Sequence, residues 1–221
     1  MSILGIDVSD AQGAVPSVHW QAVALDKRFV WNECTIGNDG NSKYFDQNVA
    51  GQKAEGLING AYLFCECLLP SSAHPGRDPE YQVQQFFEAC QGLGARAGEL
   101  APALDLEDPD PGHWIADGVT PNFLEDWTGR AADRVFALWG VKPIIYTYPY
   151  WARMANLVKV GKCDLWLAVY GESPIIPFVA PWTSAAAYQT GAGTYRLPSG
   201  APCDEDEIAD AATLARLTAG A

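Results

Sequence analysis

Short runs of β-branched and aromatic residues alternate along the chain with longer segments whose apolar residues recur at helical spacing. The predicted strands are residues 3–8, 29–35, 61–67, 102–107, 142–148, 165–170 and 185–190. The predicted helices are residues 18–25, 44–57, 78–97, 121–138 and 205–217. Strands that alternate with helices in this way are typical of βα units built around a parallel sheet.

The order of these elements predicts an α/β barrel that is incomplete in helices. Five βα-like units come first, and shorter connections join the later strands. No internal repeat, low-complexity linker or shift in composition divides the chain. We therefore expect a single domain over residues 1–221, a size that α/β barrels commonly reach as one unit.

The charge balance restricts the possible partners. The 221 residues include 14 Lys+Arg and 27 Asp+Glu, which gives a formal net charge of −13. An acidic surface repels nucleic-acid phosphates, which excludes nucleic-acid binding, and it also disfavours adhesion to an anionic membrane. The chain is too apolar to be disordered, and it has no run of ~20 apolar residues that could insert into a bilayer. We expect a partner that is neutral or recognised by its shape.

Few residues suggest a metal or redox function. Cys65-Glu66-Cys67 offers metal-binding side chains, but no second Cys or His pair follows at zinc-like spacing, and the histidines are scattered singly. We therefore expect no metal and no cofactor. The N-terminus lacks the basic and apolar regions of a signal peptide. This favours reduced, partly buried cysteines over a disulfide framework.

Two carboxylates follow one apolar run. Asp105 and Glu107 lie at positions i and i+2 at the end of a predicted strand. Because strand side chains alternate, both point to one face, about 6.6 Å apart along the chain. In α/β barrels the carboxyl ends of strands line the active site. Two acids this close raise each other's cost of ionising, so one can stay protonated and act as a general acid. A solvated strand end or a helix N-cap is the alternative interpretation of an isolated Asp-x-Glu.

Other strand ends are predicted to bring acids and aromatic residues to the same mouth. Asp7 ends the first strand, and Asp204 follows a strand near the C-terminus. The accompanying aromatic residues are Tyr62, Tyr146, Tyr148, Trp166 and Tyr170. Aromatic faces stack on the C–H bonds of sugar rings while acids bind hydroxyl groups. The combination therefore indicates a carbohydrate site, although each aromatic residue taken alone is more commonly part of a core.

Short segments from one end of the chain to the other carry a family resemblance. They are Gly5-Ile6-Asp7-Val8-Ser9, Gln12-Gly13, Trp20-x-x-Val23, Gly60-Ala61-Tyr62-x-Phe64, Leu104-Asp105-Leu106-Glu107, Ile145-Tyr146-Thr147, Leu165-Trp166-Leu167-Ala168-x-Tyr170, Tyr188-Gln189-Thr190 and, before the last helix, Asp204. In this order the segments resemble the glycoside hydrolase family 25 lysozymes, the Chalaropsis-type N-acetylmuramidases. The match spans nearly the whole chain and is far more specific than any single motif.

The resemblance implies an irregular TIM-like (β/α) barrel of eight strands with fewer than eight helices. It also implies hydrolysis of the β-1,4 bond between N-acetylmuramic acid and N-acetylglucosamine, so the partner is a glycan strand of peptidoglycan, which we expect a monomer to bind. By similarity Glu107 is the general acid with Asp105 beside it, and Asp7 and Asp204 complete an acidic cleft. The sugar-contacting positions are Tyr62, Tyr146, Trp166 and Gln189, and Glu66, Tyr148 and Tyr170 are further candidates for substrate binding.

The chain departs from the family in its second strand. Where the family has a Lys-Ala-Thr-Glu-Gly-like run, this chain has Glu33-Cys34-Thr35-Ile36-Gly37. A basic position has become Glu33, and a site-facing acid has become Ile36. Glu66, on the site-facing side of the third strand, is a candidate for a relocated carboxylate. These changes bear on substrate specificity and leave the Asp105 and Glu107 pair in place.

Two mechanisms and two other functions stay open at this point. Adjacent acids on one strand do not straddle a glycosidic bond. This favours attack by the substrate's own 2-acetamido oxygen, with Asp105 orienting the amide and Glu107 protonating the leaving oxygen. Inversion through an activated water is the alternative mechanism. The alternative functions are a catalytically silent glycan-binding module and a hydrolase of chitin-type N-acetylglucosamine polymers.

A wall-degrading enzyme without a signal peptide needs another route to its substrate. We expect synthesis in the cytoplasm and action on the cell wall after release. Release through a membrane lesion, as for a phage endolysin, and delivery by an injection apparatus are both compatible with the sequence.

Overall fold

The computed structural model describes residues 1–37, 40–69, 75–107, 118–170 and 179–218. The strands in these ranges are β1 (Ile3–Val8), β2 (Phe29–Ile36), β3 (Gly40–Asn41), β4 (Ile58–Phe64), β5 (Ala103–Asp105), β6 (Ile144–Thr147), β7 (Asp164–Ala168), β8 (Ala187–Arg196) and β9 (Pro202–Ile208). The α-helices are α1 (Ser17–Val23), α2 (Phe45–Ala54), α3 (Pro79–Ala89), α4 (Pro121–Trp139), α5 (Pro149–Ala155) and α6 (Ala211–Thr218).

Eight strands close into a barrel in the order β1-β2-β4-β5-β6-β7-β8-β9. The pairs from β1 round to β8 are parallel, whereas β9 runs antiparallel to both β8 and β1 and closes the ring. The two-residue β3 pairs only with β2, outside the ring. With six α-helices in the described ranges, the expected TIM-like barrel of eight strands and fewer helices is confirmed.

The helices begin and end at residues that satisfy free backbone groups. At the start of α3 the Asp78 carboxylate accepts hydrogen bonds from two backbone N–H groups at 3.1 and 3.2 Å, and Pro79 occupies the first turn. Thr120 caps α4 through one such bond at 3.2 Å. Gly140 then ends α4 with a φ of 74°, a left-handed conformation that glycine adopts without strain.

Large aromatic side chains fill the interior of the barrel below its mouth. Phe29 and Trp31 are fully buried, and the rings of Trp31 and Trp166 stack with centroids 4.1 Å apart. Glycines make room for these rings. A Cβ atom on Gly5 would lie 2.3 Å from the Phe29 ring, and one on Gly60 would lie 2.4 Å from that of Trp31. The interior is therefore packed, and space for a ligand lies at the carboxyl ends of the parallel strands.

The opposite faces of the strands pack against the helices. On β1 and β2 the outward side chains Ile6 and Val30 form an apolar cluster with Trp20 and Val23 of α1, all of them buried. This division follows from strand alternation, which sends successive side chains to the barrel interior and to the helix layer. No helix in the described ranges is long and apolar enough to cross a membrane.

The predicted helix over residues 205–217 is wrong in its first part. Residues 202–208 form β9, and α6 begins only after it. Glu205 faces outward and accepts a hydrogen bond from Lys27 Nζ at 2.8 Å, whereas Asp204 and Asp206 turn towards the interior. Pairing with both β8 and β1 satisfies the backbone of this acidic strand. Asp204 consequently lies within the last strand rather than after a strand.

The predicted helix over residues 78–97 is also too long. It ends at Ala89 because Gln91 and Gly92 have φ values of 52° and 71°. These left-handed conformations lie outside the α-helical region, so the helix cannot continue through them.

Candidate active site

A cavity of about 250 Å³ lies at the carboxyl ends of the barrel strands. Its lining residues are Asp7, Ser9, Gln12, Glu33, Tyr62, Phe64, Asp105, Glu107, Tyr146, Trp166, Tyr170, Gln189 and Asp204. Five of these side chains are carboxylic acids, and no Lys, Arg or His is found in this described lining. Acids from strands distant in the chain therefore meet around one cavity, and its described lining supplies no cation to pair with them.

Asp105 and Glu107 both line the cavity, Asp105 as the last residue of β5 and Glu107 two residues beyond it. Asp105 ends the strand and is 7% exposed, and Glu107 is less buried. Leu106 between them is fully buried, and its N–H donates to the carbonyl of Tyr146 at 2.9 Å, which holds the segment beside β6. Alternation then directs both acids into the cavity and both flanking leucines, Leu104 and Leu106, away from it.

The Asp105 carboxyl is the least satisfied of these acids. Its Oδ1 atom is buried and accepts no hydrogen bond from the described residues. Burial raises the pKa of Asp105 well above its usual value, and the nearby acids Glu107, Asp7 and Glu33 raise it further. A buried polar atom without a partner costs free energy. Asp105 also lines the cavity, so a ligand bound there can bring a hydrogen-bond donor to its carboxyl group.

Gln189 on β8 joins two other acids into a network. Its Nε2 atom donates to Asp7 Oδ2 at 2.7 Å and to Asp204 Oδ2 at 3.2 Å. Its Oε1 atom accepts hydrogen bonds from the hydroxyl groups of Tyr146, at 2.8 Å, and Tyr170. These partners fix the orientation of the amide, because only the nitrogen can donate to two carboxylates.

Burial dominates the titration of the acids in this network. It raises the pKa of Asp7 to about 7, with the charge of Asp204 adding to the effect, while the hydrogen bond from Gln189 opposes it. Burial also raises the pKa of Asp204, whose Oδ1 atom accepts a hydrogen bond from the N–H of Gly193 at 2.6 Å. Asp7 therefore changes charge near neutral pH, where a group can most readily take part in proton-linked chemistry.

Aromatic rings form the floor and one side of the cavity. The ring of Trp166 meets those of Tyr146 and Tyr62 edge to face, with centroids 4.7 and 6.3 Å apart. Tyr170 stands at the mouth and is half exposed. Flat apolar faces beside fixed hydrogen-bonding groups are typical of pockets that hold a ring-shaped ligand.

The residues that differ from the family pattern in the second strand take different positions. Glu33 lines the cavity and is 9% exposed, and burial raises its pKa, opposed by the backbone N–H of Asp10. Ile36 ends β2 and is 44% exposed. The strand period from Phe29 through Trp31 puts Glu33 on the interior face, so alternation alone could have placed it in the site.

Most, but not all, of the predicted site residues meet at this cavity. Its lining includes Asp7, Asp105, Glu107, Asp204, Tyr62, Tyr146, Trp166, Tyr170 and Gln189, and it does not include Glu66 or Tyr148. The backbone of Glu66 instead exchanges hydrogen bonds with the side chain of Gln82 in α3, at 3.1 and 3.0 Å. A part for Glu66 or Tyr148 in substrate binding stays a prediction.

Asp206 is the acid that sequence reasoning missed. It is fully buried beneath the cavity, where its Oδ1 atom accepts a hydrogen bond from Trp166 Nε1 at 2.8 Å. It lies two residues from Asp204 on the same face of β9. Strand alternation places Asp204 and Asp206 on one face, and this could have been recognised from the sequence. A helix was predicted over this segment instead, so the alternation was not applied.

A larger cavity of about 480 Å³ lies on the outer surface beside α4. It has cationic side chains such as Lys142 and Lys162 but lacks the convergent acids and aromatic rings of the barrel mouth. Among the described residues no group of three or more His, Cys, Asp or Glu side chains is arranged to hold a metal ion. The acids at the barrel mouth are therefore the chemical centre of the described structure.

Comparisons with known proteins agree with this geometry. Residues 6–194 match the sequence profile of Glycosyl hydrolases family 25. An N,O-diacetylmuramidase from Chalaropsis sp is 28% identical over 208 residues, covering 91% of this chain and 84% of that protein.

Solved structures give the same fold. A family GH25 lysozyme from Aspergillus fumigatus superposes with a TM-score of 0.82 at 22% identity and covers 100% of both chains. A muramidase from Trichobolus zukalii gives a TM-score of 0.81 at 26% identity, covering 99% of this chain and 100% of that chain.

Proposed function

Because the chain belongs to glycosyl hydrolase family 25 and is a glycoside hydrolase of the lysozyme type, we propose that it cleaves the β-1,4 bond between N-acetylmuramic acid and N-acetylglucosamine in peptidoglycan. The observation that carries this proposal is the convergence of Asp7, Asp105, Glu107 and Asp204 around one cavity with aromatic walls. A pair of carboxylic acids is the usual apparatus for hydrolysing a glycosidic bond.

Glu107 is the proposed general acid, and Asp105 is its proposed partner. The burial of Asp105 beside Glu107 favours a shared proton in the free enzyme, because two such acids resist ionising together. A substrate acetamido N–H that donates to the Asp105 carboxyl group would stabilise the ionised form of Asp105. The shared proton then resides on Glu107, in position to protonate the leaving oxygen.

The proposed mechanism uses the substrate's acetamido group as the nucleophile. Its oxygen attacks the anomeric carbon while Asp105 orients and charge-stabilises the amide, and the glycosidic C–O bond breaks as Glu107 delivers its proton. Water then opens the cyclic intermediate and restores the acetamido group, with net retention of configuration. NMR of the anomer formed first is the test, since an inverted product would instead require direct attack by an activated water.

A second candidate substrate is a polymer of N-acetylglucosamine alone, as in chitin. The observation that favours it is the absence of Lys, Arg and His from the described cavity lining. A free lactyl carboxylate on muramic acid would face several acids there and no cation, whereas N-acetylglucosamine carries no such charge. Turnover of chitin oligomers compared with muropeptides separates the two substrates.

The experiment that tests the proposed function is loss of turbidity of isolated cell walls, followed by mass analysis of the released muropeptides. Products with new reducing ends at muramic acid are expected, and the Glu107→Gln variant serves as the control. A catalytically silent binding module would sediment with the walls and release nothing. New reducing ends at N-acetylglucosamine would contradict the assignment of the bond.

The route to the wall and the assembly state stay predictions from the sequence. Release during phage lysis or delivery by an injection apparatus, with the protein acting as a monomer, follows from the expectations above. Light scattering of the purified protein tests the monomer, and an external lysis assay with and without membrane permeabilisation tests the need for release.

A further inference from the structure

The hydrogen-bond partners of the Asp206 side chain are not those expected for an ionised carboxylate. Its Oδ1 atom accepts a hydrogen bond from Trp166 Nε1 at 2.8 Å, while its Oδ2 atom is buried and receives no N–H or hydroxyl hydrogen bond from the described residues. In the pairing of β8 with β9, Asp206 lies opposite Gln189, whose amide is bonded to Asp7. Burial and then the charge of Asp7 raise the pKa of Asp206 well above its usual value, and a hydrogen bond with Asp7 raises it further. The same hydrogen bond lowers the pKa of Asp7, against the effect of burial. Asp206 is fully buried, so water does not solvate either oxygen.

A hydrogen bond between two carboxyl groups requires a proton on one of them. Asp7 already accepts a hydrogen bond from Gln189 Nε2 at 2.7 Å and lines the cavity, which favours its ionised form. Asp206 does not belong to the described cavity lining, and among the described residues its N–H donor is the indole of Trp166. The proton therefore belongs to Asp206, and Asp7 is the acceptor.

Among the described residues, the groups around Asp7 and Asp206 do not favour two negative charges. The titratable groups that face Asp7 and Asp206 from the elements packed around them are Asp204, Glu107, Tyr62, Tyr170 and Cys203. None of these is a cation. Lys27 is bonded to Glu205, which faces the outside of the barrel from the same strand.

We propose that Asp206 is a positioning residue for the hydrolysis, a neutral carboxylic acid that donates a hydrogen bond to Asp7 and so favours the ionised form of Asp7 and aims it into the cavity. Asp206 acts from behind the site and does not touch substrate. The inference rests on the proposed function, in which ionised Asp7 helps to hold the reacting sugar. Asp206 is then a second hydrogen-bond donor to the Asp7 carboxylate, in addition to Gln189, which donates from the cavity side.

Three variants test this role. Asp206→Asn keeps a donor for Asp7 and an acceptor for Trp166 in nearly the same volume. Asp206→Leu removes both while filling the space. Glu205→Gln is the matched control, because it removes an acid from the neighbouring position of β9 that faces outward.

The first measurement is the infrared difference spectrum of the protonated carboxyl stretch at neutral pH. Wild type minus Asp206→Asn should show the loss of one protonated carboxylic acid, whereas wild type minus Glu205→Gln should show none. An Asp206→Asn difference spectrum in which an ionised carboxylate is lost instead would overturn the proposal. This measurement does not depend on catalysis.

The second measurement is the pH dependence of kcat/KM on purified peptidoglycan. Asp206→Leu removes a hydrogen bond that favours ionised Asp7, so the acid limb should move up by roughly one to two pH units. Asp206→Asn and Glu205→Gln should leave the limb in place. A limb that moves down in Asp206→Asn would show that Asp206 carries a charge, and a limb that stays in place in folded Asp206→Leu would show that the hydrogen bond has no effect on Asp7.

The two arms separate failure of this inference from failure of the proposed function. If wild-type protein does not hydrolyse peptidoglycan, the proposed function fails while the infrared result still tests the proton on Asp206. If wild type is active but the infrared and pH results for Asp206 contradict expectation, only the positioning role fails. Should Asp206→Leu not fold, Asp206→Asn and the infrared spectrum decide the question.

Discussion

The acids on two walls of the cavity differ in the hydrogen bonds that they accept from the protein. On the network wall (Asp7, Gln189 and Asp204) each carboxylate accepts a hydrogen bond from the protein, at distances of 2.6 to 3.2 Å. On the β5 wall (Asp105 and Glu107), Asp105 Oδ1 accepts none from the described residues. The network wall is complete without substrate, whereas the β5 wall has a place for a donor that substrate can bring.

This difference indicates a division of labour. Fixed donors on the network wall hold charge and position before substrate arrives, which avoids reorganisation during the reaction. The β5 wall keeps a coupled pair of acids whose proton can move when a donor binds. A substitution on the β5 wall should therefore act mainly on the chemical step, and one on the network wall should act on positioning, pH dependence and stability.

The largest effect is expected from Glu107→Gln on the β5 wall. The amide cannot deliver a proton, so kcat should fall by ~10²–10⁴-fold while binding to glycan is retained. Turnover and co-sedimentation with purified walls measure the two properties separately. Glu88→Gln, on the exposed face of α3, is the control and should match wild type. Near wild-type lysis by Glu107→Gln would remove Glu107 from the role of acid.

Asp105→Asn should lower kcat by roughly 10²-fold, because a neutral amide stabilises the developing charge on the acetamido group less well. The same variant should be more stable than wild type above neutral pH, since it removes a buried acid that must otherwise ionise. Steady-state kinetics and chemical denaturation measure the two effects. A variant that loses stability and keeps its turnover would show that Asp105 has a structural role and not a catalytic one.

On the network wall, Gln189→Leu should lower kcat/KM by about 10-fold and destabilise the fold by about 1–3 kcal/mol. It leaves Asp7 and Asp204 without the amide and leaves the hydroxyl of Tyr146 without its acceptor. Thr190→Val is the control on the opposite face of β8, where the side chain is exposed. A loss of kcat as large as that in Glu107→Gln would erase the distinction between the walls.

The stability of the protein should fall as the pH rises through about 7. The pKa of Asp7 is about 7 in the folded protein, against 3.8 for an aspartate exposed to water, so the folded state binds an extra proton between these values. Its contribution is fully present below the lower pKa and is lost as pH rises through the higher one. Asp7→Asn should lose less stability than wild type between pH 5 and pH 8 in denaturant titrations. Equal losses would show that Asp7 titrates normally in the folded protein.

Glu33→Gln should have the smallest effect. Glu33 raises the pKa of Asp105 through its charge and adds to the repulsion of anionic sugars in the cavity. Its removal should raise kcat/KM by roughly threefold on glycan with free lactyl carboxylates and leave chitin oligomers unchanged. An equal rise in kcat/KM on both substrates would show that Glu33 acts through the pKa of Asp105 rather than by repelling the charge of the substrate.

The β5 wall could be predicted from the sequence, and the network wall only in part. An apolar strand that ends in Asp105-Leu-Glu107 reveals its geometry, because the intervening leucine marks the buried face. On β9 the inward residues Asp204 and Asp206 are acids, so hydropathy does not show which face is buried, and a helix was predicted in its place. The donors that distinguish this wall come from tertiary contacts of Gln189 and Gly193, which no local pattern encodes.

Glu66 is the reverse case, a residue that the sequence predicted for the site but that the described cavity lining does not include. Alternation along the third predicted strand puts Glu66 on the face of Tyr62, but β4 ends at Phe64. Past that point the backbone N–H and carbonyl of Glu66 bond to Gln82 in α3, and the strand period no longer applies. Periodicity locates side chains only as far as the strand extends, and the extent is set by its neighbours.

The most direct test of the proposed division of labour is a crystal structure of the Glu107→Gln variant with an N-acetylated glycan fragment spanning the cavity. We expect an acetamido N–H of the bound sugar to donate to the carboxyl group of Asp105. We also expect the glycosidic oxygen to lie about 3 Å from the side chain at position 107. A fragment bound in the cavity that donates no hydrogen bond to the Asp105 carboxyl group, or a glycosidic oxygen out of reach of position 107, would contradict the proposed roles of Asp105 and Glu107.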